Sequence, residues 1–132
     1  MTLDSSAVIA ILRDEPERDE FVALIEDDPR CLMSAVSVLE ATMVLEGRWG
    51  EDIGFDLDVF LRQAAVEIVA FDEEQLDWAR KAFRRYGRGR HTGGLNFGDC
   101  AAYALARCSG EPLLFNGADF AATDVPRVKH GH

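Results

Sequence analysis

The chain has 132 residues, with 14 basic and 24 acidic side chains and a formal net charge of −10. At the usual ~100–200 residues per domain, this length predicts a single domain spanning residues 1–132. Apolar residues make up 48% of the chain and charged residues 29%, a balance that excludes disorder for most of it. The longest uninterrupted apolar run, 100–106, is much shorter than the ~18 residues that indicate a membrane span.

Strands and helices alternate in the predicted order of elements. Strands are predicted where short apolar runs stand between turn residues, at 1–3, 31–33, 66–71 and 113–115. Helices are predicted from capping residues and helical spacing of apolar residues, at 4–12, from 16 onwards, and at 34–48, 55–65, 72–86 and 96–107. This alternation predicts an α/β fold in three layers, with a short, mostly parallel central sheet flanked by helices.

The cysteines and the start of the chain bear on the cellular compartment. Cys31, Cys100 and Cys108 are odd in number and form no Cys-x-x-Cys pair, so neither a disulfide framework nor a zinc site is expected. Acidic residues surround the first apolar stretch, unlike in a secretion signal. We therefore expect buried thiols in a reducing compartment, the cytoplasm.

Charge is unevenly distributed along the chain. Between residues 14 and 28, eight acids occur with a single arginine, a pattern typical of a solvated helix face. Between residues 80 and 90, six cations occur with no acid: Arg80, Lys81, Arg84, Arg85, Arg88 and Arg90. A helix end explains the first four, because cations are favoured near the negative end of the helix dipole. Arg88 and Arg90 fall in a glycine-rich loop before His91, where guanidinium groups suit phosphate contact; a plain charged surface remains the alternative.

Three aspartates lie at strand ends or at a helix start. Asp4 and Asp119 follow predicted strands, and the carboxyl ends of parallel strands share one rim, where ligands bind. Asp99 lies in the first turn of a helix that has no other charge until Arg107. For each aspartate taken singly, helix capping or turn formation is the alternative.

Glu40 lies among apolar residues of a predicted helix. On a helical wheel of about 100° per residue, it falls within an apolar arc formed by Val36, Leu39, Met43 and Val44. An unpaired carboxylate is costly to bury, so we expect a cation or hydrogen bonds there. If the four acids converge, charges ~4 Å apart repel by roughly 4 kcal/mol at an effective dielectric constant of ~20. Carboxylates without nearby histidine or cysteine favour Mg²⁺ or Mn²⁺ over zinc as the compensating ion.

Four motifs in the chain resemble those of the PIN-domain ribonucleases, and among them the VapC-type toxins of bacterial toxin–antitoxin pairs. They are Asp4-Ser5-Ser6-Ala7, Leu39-Glu40-Ala41, the stretch 95–100 around Asp99, and the stretch 114–120 around Asp119. The match covers essentially the whole chain in order. The fourth motif departs from the family pattern, which often has a lysine in place of Asn116 and a polar or acidic residue in place of Ala118. Asp124, five residues after Asp119, is therefore the alternative to it.

The resemblance implies a set of site residues in a PIN-like three-layer fold. One or two divalent ions, Mg²⁺ or Mn²⁺, would be held by Asp4 and Asp99, with Glu40 and Asp119 binding directly or through water. Ser6 would orient Asp4 or a water molecule. The RNA backbone would be held by Arg88 and Arg90.

The same resemblance implies an activity and partners. The enzyme would hydrolyse RNA phosphodiester bonds with metal-activated water, leaving a 5′-phosphate and a 3′-hydroxyl. Its partners would be an antitoxin protein whose tail covers the acidic site, and a second copy of the chain in a homodimer. A net charge of −10 repels polyanions at long range, so RNA binding would depend on the metal and the arginines and would weaken with salt.

Two other classes of protein remain open from the residues alone. A phosphoacceptor signalling domain also gathers acids at strand ends, but it needs a lysine beyond a late strand, where this chain has Asn116. A binding module without catalysis would use the acids only as helix caps. Phosphorylation by a small phosphodonor would favour the first class, and a lack of divalent-ion binding would favour the second.

Overall fold

A parallel sheet of four short strands forms the centre of the fold. In the computed structural model, which describes residues 1–90 and 94–131, the strands are β1 (Thr2–Leu3), β2 (Leu32–Ser34), β3 (Glu67–Val69) and β4 (Leu113–Leu114). They lie in the order β3-β2-β1-β4, and each pairing is parallel. His91, at the end of the basic run, lies outside the described residues.

Helices connect these strands. Within the described ranges there are six: α1 (Ser5–Leu12), α2 (Arg18–Asp27), α3 (Ala35–Trp49), α4 (Glu51–Gln63), α5 (Glu73–Tyr86) and α6 (Phe97–Ser109). Each crossover between strands contains at least one helix, as parallel pairing requires. The predicted α/β fold with a parallel sheet and flanking helices is therefore confirmed.

Side-chain alternation along the strands divides the core in two. Leu3, Met33 and Leu114 pack with α1, α2, α3 and α4 in one apolar cluster. Leu113 and Phe115 pack with α5 and α6 in a second cluster. Successive residues of a strand point to opposite faces of the sheet, so each face is covered by its own layer of helices.

Two predictions of local structure need correction. α4 begins at Glu51 rather than at 55, because Gly50 adopts a φ of +87° and both ends α3 and starts α4. Gly54 is therefore helical, and a Cβ at this position would overlap the Glu46 side chain of α3. The strand predicted at 66–71 is limited to Glu67–Val69.

The apolar arc predicted on α3 does not face the core. Leu39 is 59% exposed and Met43 is 67% exposed. The buried face of α3 consists of two small residues and one leucine: Ser37, Ala41 and Leu45. Small side chains let α3 lie close to its neighbours, which leaves the bulkier residues outside. Leu39 and Met43 form an exposed apolar surface, called the α3 patch below.

The predicted burial of the cysteine thiols is confirmed for two of the three. All three are free thiols; Cys31 and Cys100 are buried and Cys108 is partly buried. Burial raises the pKa of Cys100 to about 11, with a further contribution from the charge of Asp99, so its thiol stays protonated. No helix within residues 1–90 and 94–131 is both long and apolar enough to cross a membrane.

Candidate active site

Asp4 follows β1 directly and forms the N-cap of α1. Its Oδ2 accepts hydrogen bonds from the backbone N–H of Ser6 at 3.1 Å and from the Ser6 hydroxyl at 2.5 Å. Asp4 is only 3% exposed, and its Oδ1 is buried without a hydrogen-bond partner among the described residues. Asp4 therefore caps the helix and still keeps one buried oxygen for a further ligand.

Ser6 connects Asp4 to the chain that follows β4. The Ser6 hydroxyl donates a hydrogen bond to Asp4. Its oxygen also accepts a hydrogen bond from the backbone N–H of Asn116 at 2.9 Å. The backbone N–H of Asp4 in turn donates to the carbonyl oxygen of Leu114 at 3.0 Å. Ser6 thus restrains the direction of the Asp4 carboxylate.

Asp99 lies in the first turn of α6 and completes a capping box with Asn96. The Asn96 side chain accepts a hydrogen bond from the Asp99 backbone N–H at 2.8 Å, and Asp99 Oδ2 accepts one from the Asn96 backbone N–H at 3.0 Å. The box fixes both the start of the helix and the direction of the carboxylate. Asp99 is 6% exposed, so it is almost as buried as Asp4.

Glu40 reaches the same region from α3. Its Oε1 accepts a hydrogen bond from the Ser5 hydroxyl at 2.6 Å. Its carboxylate lies against the α-carbon of Gly98, where any Cβ would overlap it. The roles of Ser5 and Gly98 were not predicted from the sequence, where their only signal is that they lie beside Asp4 and Asp99.

The four acids Asp4, Glu40, Asp99 and Asp119, called the acidic site below, influence one another electrostatically. The pKa of Asp4 is raised to about 6, mainly by burial and in part by the charge of Glu40, although the hydrogen bonds from Ser6 act in the opposite direction. The pKa of Asp99 is raised to about 7, mainly by burial, and the charges of the other three acids add to it. The acids therefore share one region of negative potential, in which a cation would favour their ionised forms.

The two candidates for the last acidic position differ in their surroundings. Asp119 is exposed in the loop after β4, near enough for its charge to raise the pKa of Asp99. Asp124 instead accepts a hydrogen bond from the Tyr103 hydroxyl at 2.7 Å and forms an ion pair with Arg107 at 2.8 Å. Asp124 therefore belongs to a network with α6, and its place as the alternative to Asp119 stays a prediction.

The carboxylate oxygens of the acidic site suit a hard divalent ion, because they are the ligand atoms that Mg²⁺ and Mn²⁺ prefer. The unpartnered Oδ1 of Asp4 agrees with this, since a bound cation would satisfy it. The carboxylates are not already arranged around a common point. Within the described ranges, no three acidic, histidine or cysteine side chains form a metal-binding cluster. Hydrogen bonds from hydroxyl and amide groups hold them instead.

Backbone hydrogen bonds connect the start of the loop that carries Arg88 and Arg90 to Leu95, just before α6. The backbone N–H of Arg88 donates to the Leu95 carbonyl, and that of Leu95 donates to the Tyr86 carbonyl, both at 2.9 Å. Both arginine side chains are exposed, and the Arg90 guanidinium lies 5.1 Å from the ring centre of Phe83. Neither arginine forms an ion pair with a residue that the structure describes. Their charges are therefore available beside the helix that carries Asp99.

Comparison with known proteins identifies the family. The PIN domain family matches residues 1–126. Ribonuclease VapC30 of Mycobacterium tuberculosis is 51% identical over 128 residues, which cover 97% of this chain and 98% of that protein. A ribonuclease VapC of Mycolicibacterium smegmatis is 52% identical over 128 residues, which cover 97% of this chain and 99% of that protein.

Solved structures with low sequence identity have the same fold. Mycobacterium tuberculosis VapC20, described as a toxin that cleaves the sarcin-ricin loop, matches with a TM-score of 0.78 at 17% identity and covers 98% of both chains. VapBC2 from Rickettsia felis, bound to a DNA fragment from its promoter, matches with a TM-score of 0.71 at 15% identity, over 91% of this chain and 89% of that chain. The resemblance carried by the four motifs is thus confirmed, and the chain belongs to the PIN-domain family, among the VapC-type proteins.

Proposed function

We propose that this protein is a metal-dependent endoribonuclease that hydrolyses RNA phosphodiester bonds and acts as the toxin of a toxin–antitoxin pair. The observation that carries the proposal is the acidic site, where buried Asp4 and Asp99 and partly buried Glu40 lie near enough for the charges of Asp4 and Glu40 to raise the pKa of Asp99. Relatives that are 51–52% identical over 97% of the chain are named ribonucleases, which supports the same activity here.

Mg²⁺ is the ion proposed for the acidic site, with Mn²⁺ as the alternative. Asp4 and Asp99 would hold it, and Glu40 and Asp119 would contribute directly or through water. When bound, the ion would make water a stronger nucleophile at neutral pH and would offset the negative charge that develops on the phosphate.

Neighbouring side chains determine how the carboxylates are presented. The Ser6 hydroxyl restrains Asp4, the Ser5 hydroxyl restrains Glu40, and the capping box restrains Asp99. A carboxylate that accepts such a bond does not rotate freely. This preorganisation matters because misplacing a reacting group by ~1 Å can reduce the rate ~100-fold.

Arg88 and Arg90 are proposed to hold the RNA backbone. They are exposed, lie in the loop tied to the start of α6, and form no ion pair with described residues. Guanidinium groups in this state can donate paired hydrogen bonds to phosphate oxygens. Because the net charge is −10, the remaining surface repels RNA, and binding should weaken steeply with salt.

The proposed partners are a cognate antitoxin protein and a second copy of this chain. A toxin–antitoxin complex from Klebsiella pneumoniae has the same fold, with a TM-score of 0.69 at 16% identity over 97% of this chain and 95% of that chain, which supports an antitoxin. The α3 patch supports a homodimer, because contiguous exposed apolar residues mark contact surfaces. Cleavage of cellular RNA would take place in the cytoplasm.

The test is cleavage of total RNA by the purified protein, first treated with a chelator and then supplied with Mg²⁺ or Mn²⁺. We expect fragments with 5′-phosphate and 3′-hydroxyl ends, and loss of cleavage in Asp4→Asn and Asp99→Asn. Asp58→Asn is the matched control, since Asp58 is exposed on α4. Full cleavage by the Asp99→Asn protein would refute the proposal.

A further inference from the structure

A groove of about 730 Å³ lies between α5 and the start of α6. Its apolar lining includes Leu76 and Phe83 of α5 and Phe97 of α6. Phe97 is 82% exposed, and Phe83 and Leu76 are exposed as well. Large apolar side chains left in water around a concave surface indicate a binding site rather than core packing.

The rim of this groove is positively charged. Its four arginines are Arg80, Arg84, Arg88 and Arg90, and none of the described residues that line the groove is acidic. No ion pair joins these arginines to an acid within the described ranges. A cluster of unpaired guanidinium groups on a protein with a net charge of −10 favours an anionic ligand.

The groove opens next to the acidic site. Asn96 lines the groove and also forms the capping box with Asp99. Gly98, which follows Phe97 directly, lies against the carboxylate of Glu40. The groove is therefore lined by residues that adjoin two members of the acidic site, Asp99 and Glu40.

We propose that this groove binds an unpaired nucleobase of the RNA strand, next to the phosphate that is cleaved, with its ring stacked on Phe97. The proposal rests on the ribonuclease function proposed above. Aromatic rings combined with arginines are the means by which proteins bind single-stranded nucleic acid, because every base offers a face for stacking and every linkage a phosphate. In a duplex the bases are stacked inside the helix, so the groove selects RNA whose bases are free.

A second copy of the chain is a less suitable occupant. In a symmetric dimer the same surface of both copies meets, so the arginine rim would face another arginine rim. The α3 patch, formed by exposed Leu39 and Met43, is uncharged and suits such a contact better. An acidic peptide would match the rim charge but would not need an exposed aromatic ring.

The test measures binding of a fluorescent single-stranded RNA of about ten nucleotides to the full chain in chelator, where no cleavage occurs. When an aromatic ring that stacks on a base is removed, the affinity for single-stranded nucleic acid falls by about 5- to 150-fold. We therefore expect Phe97→Ala to weaken binding by about ten-fold or more and Phe97→Tyr to retain it. The salt dependence should be the same in Phe97→Ala as in the original protein, because stacking releases no counterions.

Two controls accompany this measurement. Phe55→Ala removes an exposed phenylalanine from α4 and should leave the affinity unchanged. A duplex of the same length should bind the Phe97→Ala protein and the original protein equally. Circular dichroism establishes that each variant is folded, which is expected because Phe97 is on the surface.

The outcomes separate this proposal from the ribonuclease function. Unchanged affinity in Phe97→Ala, or a change only in the dimerisation constant or in the binding of an acidic peptide, would overturn the proposed subsite. If cleavage still depended on Asp99, the ribonuclease function would stand without it. Binding that depends on Phe97, in a protein that cleaves no RNA with any divalent ion, would retain the subsite and reject the ribonuclease.

Discussion

The carboxylate of Glu40 lies directly against the α-carbon of Gly98, where α3 meets the first turn of α6. In Gly98→Ala the new Cβ would displace this carboxylate, which is the end of a flexible side chain, and would break its bond from Ser5. We expect the rate of RNA cleavage to fall by about 10- to 100-fold, with little change in melting temperature. Single-turnover cleavage and thermal unfolding measure the two effects.

Gly47→Ala is the matched control for this substitution. Gly47 is also helical, and the space around its α-carbon is open. Alanine should therefore stabilise the protein by about 0.5–1 kcal/mol and leave cleavage unchanged. Unimpaired cleavage by the Gly98→Ala protein would show that the position of Glu40 does not matter for the reaction.

Asp4 and Asp99 can be located from the sequence because each has a local signal. Asp4 stands between a buried strand and a helix, and Asp99 lies three residues after the capping residue Asn96. The sequence places Glu40 on the correct helix, but the apolar arc around it does not indicate burial, since Leu39 and Met43 face outward. A helical wheel shows which residues share a face but not which face meets the sheet.

Contacts between distant parts of the chain could not be predicted. Phe83 and Phe97 border one groove because the chain returns from α5 to α6 through the pairing of Gly87 with Leu95. Asp124 is close to Asp119 in sequence, but a hydroxyl and a guanidinium of α6 bind it elsewhere. Patterns of residue types do not encode such partners. Asn116, in place of a lysine, argues against a phosphoacceptor domain, and family membership favours a nuclease.

The Ser6 hydroxyl donates to Asp4 and accepts from the backbone N–H of Asn116. Ser6→Ala removes both bonds, and the loss of satisfied polar groups should lower the free energy of unfolding by about 1–3 kcal/mol. The lost hydrogen bond from the Ser6 hydroxyl favoured the ionised carboxylate of Asp4, so the pKa of Asp4 should rise further from about 6. Carbon-13 NMR titration of the metal-free protein measures this pKa.

Ser6→Thr tests whether the hydroxyl is responsible. Threonine keeps the donor and the acceptor, so we expect the pKa of Asp4 to stay near that of the original protein. A pKa that is the same in Ser6→Ala and Ser6→Thr would show that the hydroxyl does not control the ionisation of Asp4.

Stability of the metal-free protein should depend on pH through Asp4 and Asp99. Their pKa values are raised from an ordinary 3.8 to about 6 and about 7, mainly by burial. The folded protein binds both protons more tightly than the unfolded chain, so this stabilisation is complete below pH 3.8 and is lost as the pH rises through 6 and 7. At about 1.36 kcal/mol per pKa unit, each group accounts for at most roughly 3–4 kcal/mol.

Urea unfolding in chelator at about pH 5 and pH 8 measures the part of this loss that occurs above pH 5. Asp99→Asn cannot ionise at this position, so its stability should change less with pH, whereas Asp58→Asn should behave like the original protein. Saturating Mg²⁺ at the higher pH should restore stability, by ~2.7 kcal/mol at 100 times the dissociation constant, but not in Asp99→Asn. An equal pH dependence in the Asp99→Asn protein would contradict the assignment.

Arg88 and Arg90 should account for a measurable part of the salt dependence of RNA binding. Each contact between an arginine and a phosphate of single-stranded RNA contributes ~0.7 to the slope of log affinity against log salt. Replacing both by alanine should therefore weaken binding and reduce the slope by ~1.4. The control is the double variant Arg48→Ala with Arg62→Ala, which changes the net charge by the same amount but on α3 and α4, away from the loop. It should alter the affinity slightly without changing the slope. An unchanged slope in the loop variant would show that these guanidinium groups do not contact the RNA backbone.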